Sequence, residues 1–168
     1  MNTKMLAKLG ILTAIALTIH VLEPLIPLPI QLPGLKLGLS NIVTLFMLYT
    51  MTRRETAIVL ACRVLLGAVF AGFGTIFFSA VGGLLALATG IGLRKVLKET
   101  QLWIVGILAA MAHSVGQILV AVFFADMIYA LMYLPFLLAG SIVTGLITGL
   151  SAQLLVTRGK NLWKTILT

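Results

Sequence analysis

The chain has 168 residues, of which 61% are hydrophobic and 10% charged, with a mean hydropathy of +1.17. A soluble domain carries about a quarter charged residues, so this composition excludes an ordinary water-soluble fold and reads as an all-α integral membrane protein. The net charge of +8 does not imply nucleic-acid binding, because the basic residues cluster at the ends of apolar runs as topology signals.

At ~20 residues per membrane helix, the length predicts six transmembrane helices in a single domain, residues 1–168. The first helix is expected over Leu6–Leu22. Lys4 and Lys8 before it resemble a signal peptide, but no small-x-small cleavage site follows, so the helix reads as retained. Next comes EPLIPLPIQLPGLKLG, from Glu23 to Gly38. Its prolines Pro24, Pro27, Pro29 and Pro33 forbid a regular helix. It stays apolar, so it is expected to lie against the outer end of the bundle. A short helix follows over Leu39–Met51, then a charged turn at Thr52–Thr56. The third helix is expected over Ala57–Phe73, ended by a turn at Gly72 and Gly74, and the fourth over Thr75–Leu93. A second charged turn covers Arg94–Thr100. The fifth helix is expected over Leu102–Ala125 and the sixth over Pro135–Val156. With the N-terminus cytoplasmic, ten of the twelve lysines and arginines fall inside, Lys36 alone falls outside, and Arg63 lies within the membrane. The positive-inside rule therefore predicts both termini in the cytoplasm.

Some polar residues are not topology signals. Arg63 stands near the middle of AIVLACRVLLGAVFAGF, Ala57–Phe73. Arginine keeps its proton, so a buried one needs an anionic partner or ligand, and an intramembrane charge marks a functional site by default. Its structural alternative is a pair with Glu23 or a carbonyl. His113 and Gln117 lie one turn apart on the fifth helix, at similar depth; their alternative is interhelical hydrogen bonding. Ser40 and Asn41 open the second helix; their structural alternative is an N-cap. Glu23 and Lys36 bracket the proline-rich outer segment. His20 reads as an interfacial residue and Asp126 as a solvated loop charge. The expected substrate site is thus Arg63, His113, Gln117, Asn41, Lys36 and Glu23, open to the outside.

No metal site is expected: His20 and His113 are the only histidines, and no carboxylate sits at ligand spacing beside His113. The single Cys62 excludes an internal disulfide and a cysteine metal cluster. No P-loop or nucleophile elbow occurs, and four scattered acidic residues do not make the Asp-rich motif that holds magnesium and diphosphate. The chain reads as a non-enzyme with no cofactor. Three small-residue faces recur at i, i+4: Gly10, Ala14 and Thr18; Gly82, Ala86 and Gly90; Ser141, Gly145 and Gly149. Such faces let helices approach closely, within the chain or against a partner.

The stretch Glu23–Asn41 ending PGLKLGLSN, the intramembrane Arg63 and the His113-x-x-x-Gln117 pair resemble the small bacterial membrane proteins called the Gx transporter family, also labelled heptaprenyl diphosphate synthase component I. The size, six helices and cytoplasmic ends also resemble the S components of energy-coupling-factor transporters. That second resemblance implies an outward-open pocket, a lid after the first helix, and Gly10, Ala14 and Thr18 as the face for a transmembrane coupling subunit with its ATPases. The leading expectation is an S-component-like substrate-binding subunit in the bacterial cytoplasmic membrane, taking up a small anionic or polar molecule. The runner-up is a membrane accessory subunit of a polyprenyl (heptaprenyl) diphosphate synthase; a purely structural membrane subunit is third.

Overall fold

The computed structural model describes residues 3–25, 38–124 and 126–159. Among them the chain forms six α-helices linked by turns and short 3₁₀ segments, with no β-strand. They are α1 (Thr3–Leu22), α2 (Asn41–Thr50), α3 (Arg53–Ala71), α4 (Thr75–Leu93), α5 (Leu102–Phe124) and α6 (Leu134–Arg158). Lys36, with most of the proline-rich segment expected as a lid, and Lys160 and Lys164 lie outside the described residues.

The α4 bounds match those expected from the sequence. The start of α3 differs by four residues, for a local reason. Thr52 accepts a hydrogen bond from the Glu55 backbone N–H at 3.3 Å, and the Glu55 carboxylate accepts one from the Thr52 N–H at 2.8 Å. This capping box satisfies donors that a helix start leaves open, so the expected charged turn is the first turn of α3.

Four helical segments are long and apolar enough to cross a membrane: Thr3–Leu22, Thr75–Leu93, Glu99–Phe124 and Ile128–Arg158. α3 is as long as α4, but Arg53, Arg54, Glu55 and Arg63 reduce its hydropathy. α2 has 10 residues, or ~15 Å, about half the hydrocarbon thickness of a bilayer. It is apolar all round, and such a helix belongs inside a bundle. Val43, Leu45, Phe46, Met47 and Leu48 are all buried, and α2 touches α1, α3, α4, α5 and α6. The outer surface is apolar too, with Ile11 on α1, Val69 and Phe70 on α3, and Val143 and Ile147 on α6 all exposed. So much exposed apolar surface suits lipid and not water.

α5 packs most extensively, against α6 and α4. The charged ends gather on one side: the Arg94 guanidinium lies 5.6 Å over the Tyr49 ring at the end of α2, and Glu99–Gln101 packs on α6. At the opposite end, Phe77 and Phe124 stack with centroids 5.6 Å apart. The small-residue faces divide into two kinds. Gly145 and Gly149 of α6 meet α5 backbone directly: a Cβ at Gly145 would stand 2.5 Å from Ile107 Cα, and one at Gly149 2.7 Å from Leu102 O. Gly82, Ala86 and Gly90 are likewise buried. Gly10, Ala14 and Thr18 are exposed on the outside of α1.

Gly106→Ala should therefore force α5 and α6 apart, since its Cβ would clash with the Gly145 carbonyl oxygen. A loss of about 1–3 kcal/mol is expected, the usual range for overpacking. Gly10→Ala, with nothing within 4 Å of the new Cβ, should leave the thermal midpoint in detergent near that of the wild type. Equal midpoints for the two variants would contradict the α5–α6 packing.

Candidate functional site

The polar side chains converge because two helical hairpins are in register. α2 and α3 turn about Met51–Thr52; Ser40 lies twelve residues before Thr52 and Arg63 eleven after it. Antiparallel neighbours with these offsets sit level, and the Arg63 Nη1 donates to Ser40 Oγ. α4 and α5 turn through Arg94–Gln101; Gly82 lies twelve residues before that turn and His113 twelve after it. The His113 ring packs against Gly82 across the hairpin. Ser79 and Gln117 fall one turn further along the same hairpin.

His20, Glu23, Gly38, Ser40, Arg63, Ser79, His113 and Gln117 enclose one small space, with about 10 Å³ free for the centre of a water molecule. That is room for about one water. Glycines make room for the rings. A Cβ on Gly67 of α3 would meet His20 Cδ2 at 2.8 Å, and one on Gly82 would meet His113 Cε1 at 2.9 Å. Gly38 has φ +79°, a backbone region other residues enter with strain, and its missing side chain leaves space for Asn41 and His113. The Gly38 N–H donates to Glu23 Oε1, so the end of α1 is fastened to the start of α2.

Arg63 is 2% exposed and Glu23 4%. They are the one cation and the one carboxylate lining this space among the described residues, and Glu23 attracts Arg63 electrostatically. Arg63 Nε is buried with no hydrogen-bond partner, as are both amide atoms of Asn41. The inventory is one of hydrogen-bonding groups around a single fixed charge, suited to holding a polar molecule. Among the described residues no three His, Cys, Asp or Glu side chains are placed to hold a metal ion.

Of the residues expected from the sequence, Arg63, His113, Gln117 and Glu23 come together here. Asn41 is buried beside Gly38 without lining the space, and Lys36 lies outside the described residues. The N-cap alternative for Ser40 fails, since it makes no side-chain cap on α2 and its hydroxyl accepts from Arg63. One expectation needs correction. His20 is buried in the site and not interfacial, because α1 packs closely on α3 at Gly67. Ser79 was missed, although its register opposite Gln117 across the α4–α5 turn was available as a signal. Asp126 is exposed beyond α5, away from the site.

A family model described as heptaprenyl diphosphate synthase component I matches residues 12–155 of the chain. No curated protein and no solved structure matches it.

Arg63→Met keeps bulk and removes the one buried cation that lines the site with Glu23 among the described residues. A loss of about 3–5 kcal/mol is expected, as for breaking a buried ion pair. Adding Glu23→Gln should recover much of it. The check is thermal unfolding of both variants in detergent; a single variant as stable as wild type would refute the electrostatic account of the site.

Proposed function

The chain belongs to the heptaprenyl diphosphate synthase component I family, and from that premise we propose that it is a membrane accessory subunit of a polyprenyl diphosphate synthase. The family match over residues 12–155 carries this reading and places the sequence-based runner-up ahead of the importer. Glu23, Glu55, Glu99 and Asp126 are the only acidic residues, and they are scattered. Magnesium–diphosphate chemistry needs clustered carboxylates, so the subunit leaves prenyl transfer to a soluble partner. Its own contribution is a membrane seat and a buried site that binds a small polar or anionic molecule through Arg63, His113 and Gln117.

A second reading is kept for one observation. Gly10, Ala14 and Thr18 form an exposed small-residue stripe on α1, whereas the equivalent faces of α4 and α6 are packed inside. This is what an S-component-like subunit would offer a transmembrane coupling subunit. Affinity purification of the tagged chain from its native membranes separates the readings. Stoichiometric recovery of a soluble prenyl transferase is expected. Recovery of a membrane coupling subunit with ATPases, lost on Ala14→Leu, would select the importer instead.

The six helices are proposed as six spans with both ends cytoplasmic. The charged turns at Arg53–Glu55 and Arg94–Lys98 and the end of α6 then share the inner face, as the positive-inside rule requires. In a Cys62→Ala background, Thr100→Cys should react with an impermeant thiol reagent only from the cytoplasmic side, and Asp126→Cys only from outside. Labelling of both from one side would overturn this orientation.

A further inference from the structure

The site has a fixed charge but little room. About 10 Å³ admits a water and no organic molecule, so any larger ligand must displace part of the wall. Most of the wall cannot move cheaply. His20, Arg63, Ser79, His113 and Gln117 all stand within long helices packed on one another. Glu23 differs. It begins the short 3₁₀ turn Glu23–Leu25 that follows α1, and its carboxylate reaches across to the Gly38 N–H just before α2.

The charge of the site limits what may take the place of Glu23. Among the described lining residues Arg63 and Glu23 supply one charge of each sign, and a buried cation left without a counter-charge costs several kcal/mol. A monoanion entering as the Glu23 carboxylate leaves preserves the balance. A dianion such as a phosphate monoester over-compensates it, and a cation meets Arg63 directly. The guanidinium also retains a donor for the incoming group: Nη1 is engaged by Ser40, while Nε is buried with no partner. A carboxylate accepts bidentate hydrogen bonds from the fork of an arginine.

We infer that Glu23 is an internal stand-in for a ligand carboxylate: the site takes a small molecule bearing one carboxylate, which replaces the Glu23 side chain as the counter-ion of Arg63. This rests on the reading of the Arg63 site as a ligand site and adds the class of ligand. Binding then releases the Glu23–Gly38 fastening, so occupancy of the site is signalled at the junction of α1 and α2.

Acetate is the probe, because Glu23→Ala removes a group of nearly its size and charge. The full chain in detergent carrying Glu23→Ala should unfold at a lower temperature than wild type. Sodium acetate should raise its midpoint saturably, whereas sodium chloride and sodium phosphate at equal ionic strength should not. Acetate should bind Glu23→Ala roughly tenfold or more tightly than wild type, where it competes with Glu23; that is the lower end for one charge-assisted hydrogen bond. The response should vanish in Glu23→Ala/Arg63→Met. If Glu23→Ala does not fold, Glu23→Gln takes its place in the same titration. A folded variant indifferent to acetate, or stabilised better by phosphate, overturns the assignment. Native mass spectrometry of the wild-type protein tests the underlying reading separately. A bound polar molecule lost on Arg63→Met, beside an acetate-indifferent Glu23→Ala, would leave a ligand site standing and remove only the carboxylate exchange.

Discussion

A guanidinium that cannot lose its proton, placed near the middle of an apolar helix, dictates the arrangement around it. Its position in α3 is fixed by the hydrogen-bonded helix, so the rest of the bundle must bring polar groups to it. Ser40 is delivered by the short helix that precedes α3, Glu23 by the end of α1, and His113 and Gln117 by α5. Each of these side chains is nearly inaccessible, and a buried polar group without partners is costly. One charge thereby fixes the relative heights of four helices.

The close approach this demands is supplied by absent side chains. His20 rests on Gly67, His113 on Gly82, and the guanidinium itself lies beside Gly83. On the far side of α5, Gly106, Gly145 and Gly149 let α6 approach backbone to backbone. In lipid there is little hydrophobic gain from helix association, so such van der Waals contact between small-residue faces carries much of the cohesion. The bundle divides accordingly. A core drawn from all six helices, centred on α2 and including Leu9, Met47, Val105 and Ala152, is wholly apolar; the polar cluster sits at the start of α2.

This division bears on function. The polar site lies within an apolar bundle, and the family to which the chain belongs is named as one component of a synthase. The division of labour proposed above, with bond-making elsewhere, accords with the scattered acidic residues. The exposed α1 stripe has no counterpart in the internal packing, which sets it apart from the other two small-residue faces.

The composition and the spacing of charged turns determined the all-helical membrane class and the order of the elements, with α4 placed to the residue, because hydropathy and helix stop signals are local. Arg63, His113 and Gln117 stood out for a similar reason: a costly group in an apolar run is visible without knowing its neighbours. Which groups answer Arg63 was decided only by tertiary structure. Ser40 reads locally as a cap, His20 as an interfacial residue, and Ser79 as an ordinary helix serine. Their shared site depends on hairpin register and on the closeness of α1 to α3, which no single segment specifies. The same holds for the small-residue faces, identical in pattern yet two buried and one exposed, because periodicity defines a face and only packing determines what that face meets.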